Sequence, residues 1–255
     1  METSIGFIGG GRITKIFLQA FANEKVEFKS VTVFDTNAET LEALKAQFPF
    51  ITTGSLEQTA SQAIVFIALH PPMIMETLDK ISGIVAEDAL VISLAPKITI
   101  DKIASKLKTK SIARLIPNAT SYINEGFNPV AFHPDMKKDD KKVIKKLLKN
   151  LGKTFETEES KLEGYAITSA MLPTYFWFQF QEMEKIAQQT GLTPEEAVET
   201  VKSTLKKAIK LYFNSGLTPA EVMDLIPVKP IGESQEQIIE IYQTRLMGLF
   251  GRIKP

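Results

Sequence analysis

The densest set of residues able to do chemistry is Ile5-Gly6-Phe7-Ile8-Gly9-Gly10-Gly11-Arg12-Ile13-Thr14. An apolar run leads into the glycines and a helical pattern leaves them. In that setting Gly9 makes a tight turn, and Gly10 and Gly11 let backbone approach a pyrophosphate. Arg12 and Ile13 then open a helix whose unpaired amides and positive dipole end suit an anion. The motif's last position, usually Gly or Ala, is Thr14. Asp35 closes the second β-rich run, where a carboxylate can accept from an adenosine ribose diol and oppose a 2′-phosphate. The expected cofactor is therefore NAD or NADP, with NAD favoured by Asp35, and the chemistry is hydride transfer by the nicotinamide. The residues alone leave open a glycine turn that binds no nucleotide and an Asp35 that only ends a strand.

A second set follows two later β-rich runs: Ala68-Leu69-His70-Pro71-Pro72 and Arg114-Leu115-Ile116-Pro117-Asn118-Ala119-Thr120. Ligands of an open parallel sheet lie beyond the carboxyl ends of its strands, so Ala68, His70 and Asn118 are candidates to face the cofactor. His70 is also a candidate catalytic donor, or else a group that caps its strand. Asn118 can orient the nicotinamide ribose or a substrate, or form an Asx-type turn. His133, in a Phe-His-Pro turn, reads as structural. Two histidines and no cysteine give no zinc spacing, so no metal is expected, and thiolate and disulfide chemistry are excluded.

These residues need a frame. Strands are expected at Ser4–Ile8, Ser30–Asp35, Ile64–Ala68, Leu90–Leu94 and Ser111–Leu115, with helices at Ile13–Phe21, Ala38–Gln47, Met73–Ile81 and Ile100–Leu107. Nearly continuous apolar strands alternating with helices describe an α/β fold, a Rossmann-type doubly wound sheet. Short strands around Pro129–Phe132 and Lys153–Phe155, with a helix between, are expected to extend one edge. The lysine-rich run Lys137–Lys146 reads as that helix's solvated face. From about Tyr165 the pattern becomes all-helical. Helices are expected at Pro173–Gln189, from Thr193 to Asn214, from Thr218, and at Ser234–Leu249, punctuated by Gly191 and Gly216. The expected division is a dinucleotide-binding domain at 1–160 and a helical substrate and dimerisation domain at 161–255. The stripe Tyr175, Phe176, Trp177, Phe178, Phe180 and Met183 covers more than one helix face and invites a second copy of the chain.

Thirty basic and thirty acidic side chains balance to zero net charge, so neither nucleic acid nor a membrane surface is an expected partner. No segment has the signature of a signal peptide or the roughly 20 apolar residues of a membrane span. A cytoplasmic location is the expectation.

Taken together, the stretches Ile5–Gly11, Ala68–Pro71, Val91–Ala95, Arg114–Asn118, Pro173-x-Tyr175, Ser215-Gly216, Pro219–Glu221 and Asp224 resemble the pyrroline-5-carboxylate reductase family. The resemblance implies reduction of a cyclic imine with NAD(P)H. It also implies a homodimer through intertwined C-terminal helices, with a higher oligomer possible. It places the small-molecule substrate near Tyr175, Lys229, Glu233 and Ser234. The departures fall there too. Ala170 and Leu172 replace glycines of the family's pattern, and Glu233 stands where a hydroxyl would help hold a carboxylate. His70 stands where a lysine is common. Two other classes compete: a non-catalytic nucleotide-binding regulatory protein, motivated by those loops, and a 3-hydroxy acid dehydrogenase, whose catalytic lysine has no convincing counterpart.

Overall fold

The computed structural model describes residues 3–255. The first half alternates β1 (Ser4–Ile8), α1 (Arg12–Asn23), β2 (Ser30–Phe34), α2 (Ala38–Gln47), β3 (Thr52–Thr53), α3 (Leu56–Ala60), β4 (Ile64–Ile67), α4 (Pro71–Ile81), β5 (Leu90–Ser93), α5 (Ile100–Ala104) and β6 (Ile112–Leu115). It then adds β7 (Gly126–Phe132), α6 (Lys138–Leu148) and β8 (Gly152–Glu156). The sheet order is β3-β2-β1-β4-β5-β6-β7-β8. The first six strands are parallel, β7 runs antiparallel to β6, and β8 is parallel to β7. Strand order reverses between β1 and β4, which opens a crevice at their carboxyl ends.

Alternation within each strand feeds two cores. Phe7, Phe66 and Ile92 point to one face, where Phe7 stacks on Phe66 at 4.7 Å and Phe17 of α1 meets Phe66 edge-on at 5.7 Å. Val65, Ile67 and Val91 point to the other face and pack with Ile74, Leu78 and Ile81 of α4. A sheet covered on both faces accounts for strands without polar alternation.

Two elements were not expected. β3 is two exposed residues, too short to carry a period. α3 spans five residues and rests on a capping box in which Ser55 and Gln58 exchange hydrogen bonds. That Ser-x-x-Gln was legible, but the helix is too short to show an amphipathic repeat. α5 ends at Ala104 rather than Leu107 because Ser105 and beyond turn through backbone bonds to Asp101 and Ile103.

Beyond the sheet come α7 (Leu162–Tyr165), a π-helical turn at Ala166–Ala170, α8 (Leu172–Gln189), α9 (Pro194–Asn214), α10 (Pro219–Asp224) and α11 (Gln235–Ile253). The chain forms two compact units. One ends at Met171 and takes back Leu249–Pro255; the other is Leu172–Gly248. The boundary expected from the sequence lies at 160–161, and the last helix is expected to end at Leu249. α11 runs on to Ile253, which packs against the first unit's core. In the helical unit the cap signals act as read: Thr193 with Glu196, and Thr218 with Glu221, form reciprocal capping boxes with Pro at the first helical position. Gly191 (φ +100°) and Gly216 (φ +82°) terminate the preceding helices in the left-handed region. Among the described residues no helix is long and apolar enough to cross a membrane.

Candidate cofactor-binding site

The glycine turn sits where strand order reverses, and its three glycines differ in what constrains them. Gly9 adopts φ +107°, and a Cβ there would lie 2.4 Å from the Ala68 carbonyl oxygen of β4's end. Its N–H donates to Phe34 O at 2.7 Å, tying β1's exit to β2's. Only glycine fits both demands. Gly10 donates its N–H to Asp35 Oδ2 at 2.7 Å, and Asp35 Oδ1 accepts from Asn37 N at 2.9 Å. The carboxylate is therefore clamped by the turn on one side and the approach to α2 on the other. A Cβ on Gly11 would meet nothing within 4 Å. The protein itself does not demand glycine there, and the open space lies in front of α1's first turn.

α1 begins without a side-chain cap and without an acidic residue in its first turn. Arg12 and Lys15 add cations at the same end, so the uncapped helix start presents amides and positive charge together. Thr14, the departure from the glycine pattern, is fully buried and donates its hydroxyl to Gly9 O at 2.6 Å. The hydroxyl satisfies a carbonyl of the turn, so the larger side chain reinforces the loop. The donors, the clamped carboxylate and the empty Gly11 approach fit a dinucleotide.

Two adjoining clefts share Gly11 and His70. One runs over Gly10, Gly11, Arg12 and Lys15 to Thr40 and Gln47 of α2. The other is bounded by Gly9, Asp35, Thr36, Ala68, Leu69 and Met73, with Leu56 and Lys80 at its sides. The structure thus brings together Gly9, Gly10, Gly11, Arg12, Asp35, Ala68 and His70. Ile13 contributes its backbone position, because its side chain packs against the core. Lys15, Thr36, Leu69, Met73 and Lys80 were missed. Lys15 was accessible to the reading, one helical turn from Arg12, whereas the α4 residues reach the cleft only through the βαβ crossover.

His70 is exposed at the N-cap of α4, with no side-chain cap bond. Pro71 and Pro72 follow, so that helix start lacks two amide donors and offers an anion little. Asn118 is buried and engaged on every side. Its Oδ1 accepts from Thr120 N at 3.0 Å and Thr120 Oγ1 at 2.7 Å, and its Nδ2 donates to Ser169 Oγ at 3.0 Å and Ser169 O at 3.3 Å. Of the two readings open for Asn118, this is the Asx-type turn. The side chain shapes the loop after β6 and pins it to the π-helical turn. His133 accepts at Nδ1 from Asp135 N at 3.1 Å and is buried, a structural turn residue.

The remaining site candidates lie in the helical unit. Tyr175 sits 6.3 Å from the Tyr242 ring, and burial pushes its phenol pKa upward, so it stays protonated at neutral pH. Lys229 is exposed, and Glu233 and Ser234 are exposed in a 3-10 turn at Gly232–Ser234. Among the described residues no group of three or more His, Asp or Glu side chains is placed to hold a metal ion.

The family described as "NADP oxidoreductase coenzyme F420-dependent" matches residues 4–97, the glycine turn through the loop after β5. Along nearly the full length the chain is similar to the pyrroline-5-carboxylate reductase of Escherichia coli (strain K12), 24% identical over 229 residues, covering 89% of this chain and 85% of that protein. The chain is thus similar to pyrroline-5-carboxylate reductases over most of its length. Solved structures show the fold: the pyrroline-5-carboxylate reductase from Coxiella burnetii has a TM-score of 0.72 at 23% identity, covering 99% of this chain and 95% of that one. The Plasmodium falciparum pyrroline carboxylate reductase, solved with NADP bound, has a TM-score of 0.73 at 18% identity, covering 98% and 94%. Ala170 and Leu172, the two expected departures, end the π-helical turn and open α8.

Proposed function

We propose that the protein is an NAD(P)H-dependent reductase that transfers hydride to a small cyclic imine and works as a homodimer through its C-terminal helices. The observation that carries the reading is the Gly10–Asp35 clamp beside the open Gly11, set at the strand-order reversal. A bound nicotinamide dinucleotide supplies the hydride. The amides at Gly11, Arg12 and Ile13 and the side chains of Arg12 and Lys15 hold its pyrophosphate, while Gly10 keeps Asp35 in place. Asp35, oriented by two backbone donors, accepts from the adenosine ribose. Ala68 and His70 flank the path toward the reacting end, while Asn118 acts as a positioning residue that fixes the loop after β6. Tyr175, Lys229, Glu233 and Ser234 form the substrate side. A protonated imine needs no obligatory acid.

NAD is the favoured cofactor, because the clamped Asp35 cannot swing away from a 2′-phosphate. Asp35→Ala should shift the NADH-to-NADPH ratio of dissociation constants toward NADPH by about tenfold, one unpaired charge contact being worth about 1–2 kcal/mol. Equal binding of the two cofactors by the unaltered protein would sink the ribose argument. Activity is tested by NADH oxidation in the presence of 1-pyrroline-5-carboxylate and of other cyclic imines. The second reading, a nucleotide-binding regulator, is motivated by Ala170, Leu172 and Glu233. Tight NADH binding with no turnover on any of these compounds would favour it.

The homodimer rests on the helical unit's surface. α8 and α11 contain no buried residue and α9 buries only Ala197. Phe178, Phe213 and Ile226 are 65%, 74% and 69% exposed. Apolar surface on this scale calls for a partner, and a second copy of the same helices supplies one.

A further inference from the structure

Among the described residues three non-glycine ones adopt positive φ: Lys25, Lys97 and Asn124. Lys25 and Asn124 terminate helical segments, where the left-handed conformation closes the last turn. Lys97 has no such reason. It lies in Ala95-Pro96-Lys97-Ile98, the loop leaving the carboxyl end of β5, with φ +74°. A side chain in that conformation is strained relative to glycine, and strain of this kind persists only where the surroundings over-determine it.

The surroundings do so here. The guanidinium of Arg114, fully buried on β6, pairs through Nη1 with Glu159 Oε1 at 2.8 Å and through Nη2 with Glu163 Oε1 at 2.6 Å. Those two carboxylate oxygens also receive the backbone of the loop: Lys97 N donates to Glu163 Oε1 at 3.2 Å and Ile100 N to Glu159 Oε1 at 2.7 Å. Arg114 Nη2 reaches Ala95 O at 3.4 Å. Residues 95, 97 and 100 are thus stapled by one cation and two anions. As a device for stability the cluster is poor, since Arg114 Nε has no partner and a buried pair recovers little net energy. What it specifies is the path of the loop. Ala95 and Ile98 are buried on either side, which leaves Lys97 as the exposed tip. Its ammonium makes no hydrogen bond or ion pair among the described residues.

We infer that Lys97 is an anion anchor for the substrate: an unpaired cation on backbone fixed at the ligand edge of the sheet, where the ends of β4 and β6 also present His70 and Asn118. This rests on the reductase reading and adds a specificity residue to it: Lys97 holds the carboxylate that pyrroline-5-carboxylate carries and 1-pyrroline lacks. The test compares 1-pyrroline-5-carboxylate with the neutral 1-pyrroline in the unaltered protein and in Lys97→Gly and Lys97→Arg, each as the full chain with NADH. Lys97→Gly should raise KM for the carboxylate about tenfold, the loss expected for one charged hydrogen bond. KM for 1-pyrroline and the NADH dissociation constant should not move, and Lys97→Arg should stay within about threefold of the unaltered protein. Lys97→Gly should also melt at a higher temperature, which separates loss of charge from loss of fold. A parallel change in both substrates, or none in either, would overturn the inference. If neither imine is reduced by the unaltered protein, the reductase reading falls. Lys97 is then judged by binding: L-proline should raise the melting temperature of the NAD+-loaded protein and should fail to do so in Lys97→Gly, and an equal rise in both would refute the anchor.

Discussion

The two compact units solve the problem of apolar surface in opposite ways. The first packs its aliphatic and aromatic residues on both faces of one sheet and leaves charged side chains outside, as along α6. The second carries Trp177, Phe178, Phe213 and Ile226 on its exterior and has almost nothing inside. The first therefore buries its own core, whereas the second leaves its apolar side chains at its surface. Binding chemistry follows the same division. The glycine turn is braced by hydrogen bonds to Phe34 and Asp35, while Tyr175, Lys229, Glu233 and Ser234, proposed for the substrate, lie in the second unit.

The sharpest way to break this contrast is at the turn itself. Gly9→Ala combines a left-handed φ with a Cβ placed 2.4 Å from Ala68 O. It should cost about 3 kcal/mol or more of unfolding free energy in a denaturant titration, the range for a backbone clash with strain. NADH affinity should fall by more than about a hundredfold with it. Gly11→Ala meets nothing within 4 Å. It should cost less than about 1 kcal/mol, as an N-cap change does, yet weaken NADH at least about tenfold because its methyl group fills the approach the phosphate needs. If both variants lose stability equally, Gly11 serves the fold and not a ligand.

A middle-sized effect belongs to the helical unit. Phe213 is 74% exposed, and on an isolated surface Phe213→Asp would change stability by no more than about 0.5 kcal/mol. In a buried homodimer core it should cost about 2 kcal/mol or more of association energy. Light scattering would then report a monomer, while NADH titration of the first unit stays normal. A dimer that survives Phe213→Asp unchanged would place the partner surface elsewhere on the helices.

The same division explains what could be read from the sequence. β1, β4 and β5 were legible because burial on two faces imposes unbroken apolar runs such as Ile64-Val65-Phe66-Ile67, and Thr193 and Thr218 were legible because capping is local chemistry. β3 and α3 were not, being too short to carry a period. The role of Asn118 was open because its partners Thr120 and Ser169 include a residue distant in sequence, and an amide with four bonds looks no different in a sequence from one with two. The Arg114–Glu159–Glu163 staple was missed for the same reason: Arg114 reads as the polar interruption of an apolar strand, and nothing local names the carboxylates it meets. Lys97 was invisible because a positive φ at a lysine leaves no mark in the sequence.

The smallest expected effect tests the charged exterior of the first unit. Glu156 on β8 accepts from Lys145 at 2.6 Å and Lys141 at 3.0 Å, and hydrogen bonds from these two ammonium groups, Lys145 first, hold its carboxyl below the ordinary value of 4.5. The pair is solvent-accessible, with Glu156 41% exposed, so screening leaves Glu156→Gln worth only about 0.5 kcal/mol at neutral pH. The sign follows from the depressed pKa. The folded state binds its proton less readily than the unfolded chain, so the stabilisation is complete above 4.5 and disappears as pH falls through the lower folded value. The difference between the unaltered protein and Glu156→Gln in urea titrations should therefore shrink on acidification and in high salt. A difference that grows in acid would mean that Glu156 acts through something other than its lysines. A value near 2 kcal/mol would mean that α6 needs its charges as much as the helical unit needs Phe213, and the contrast between the two exteriors would lose its force.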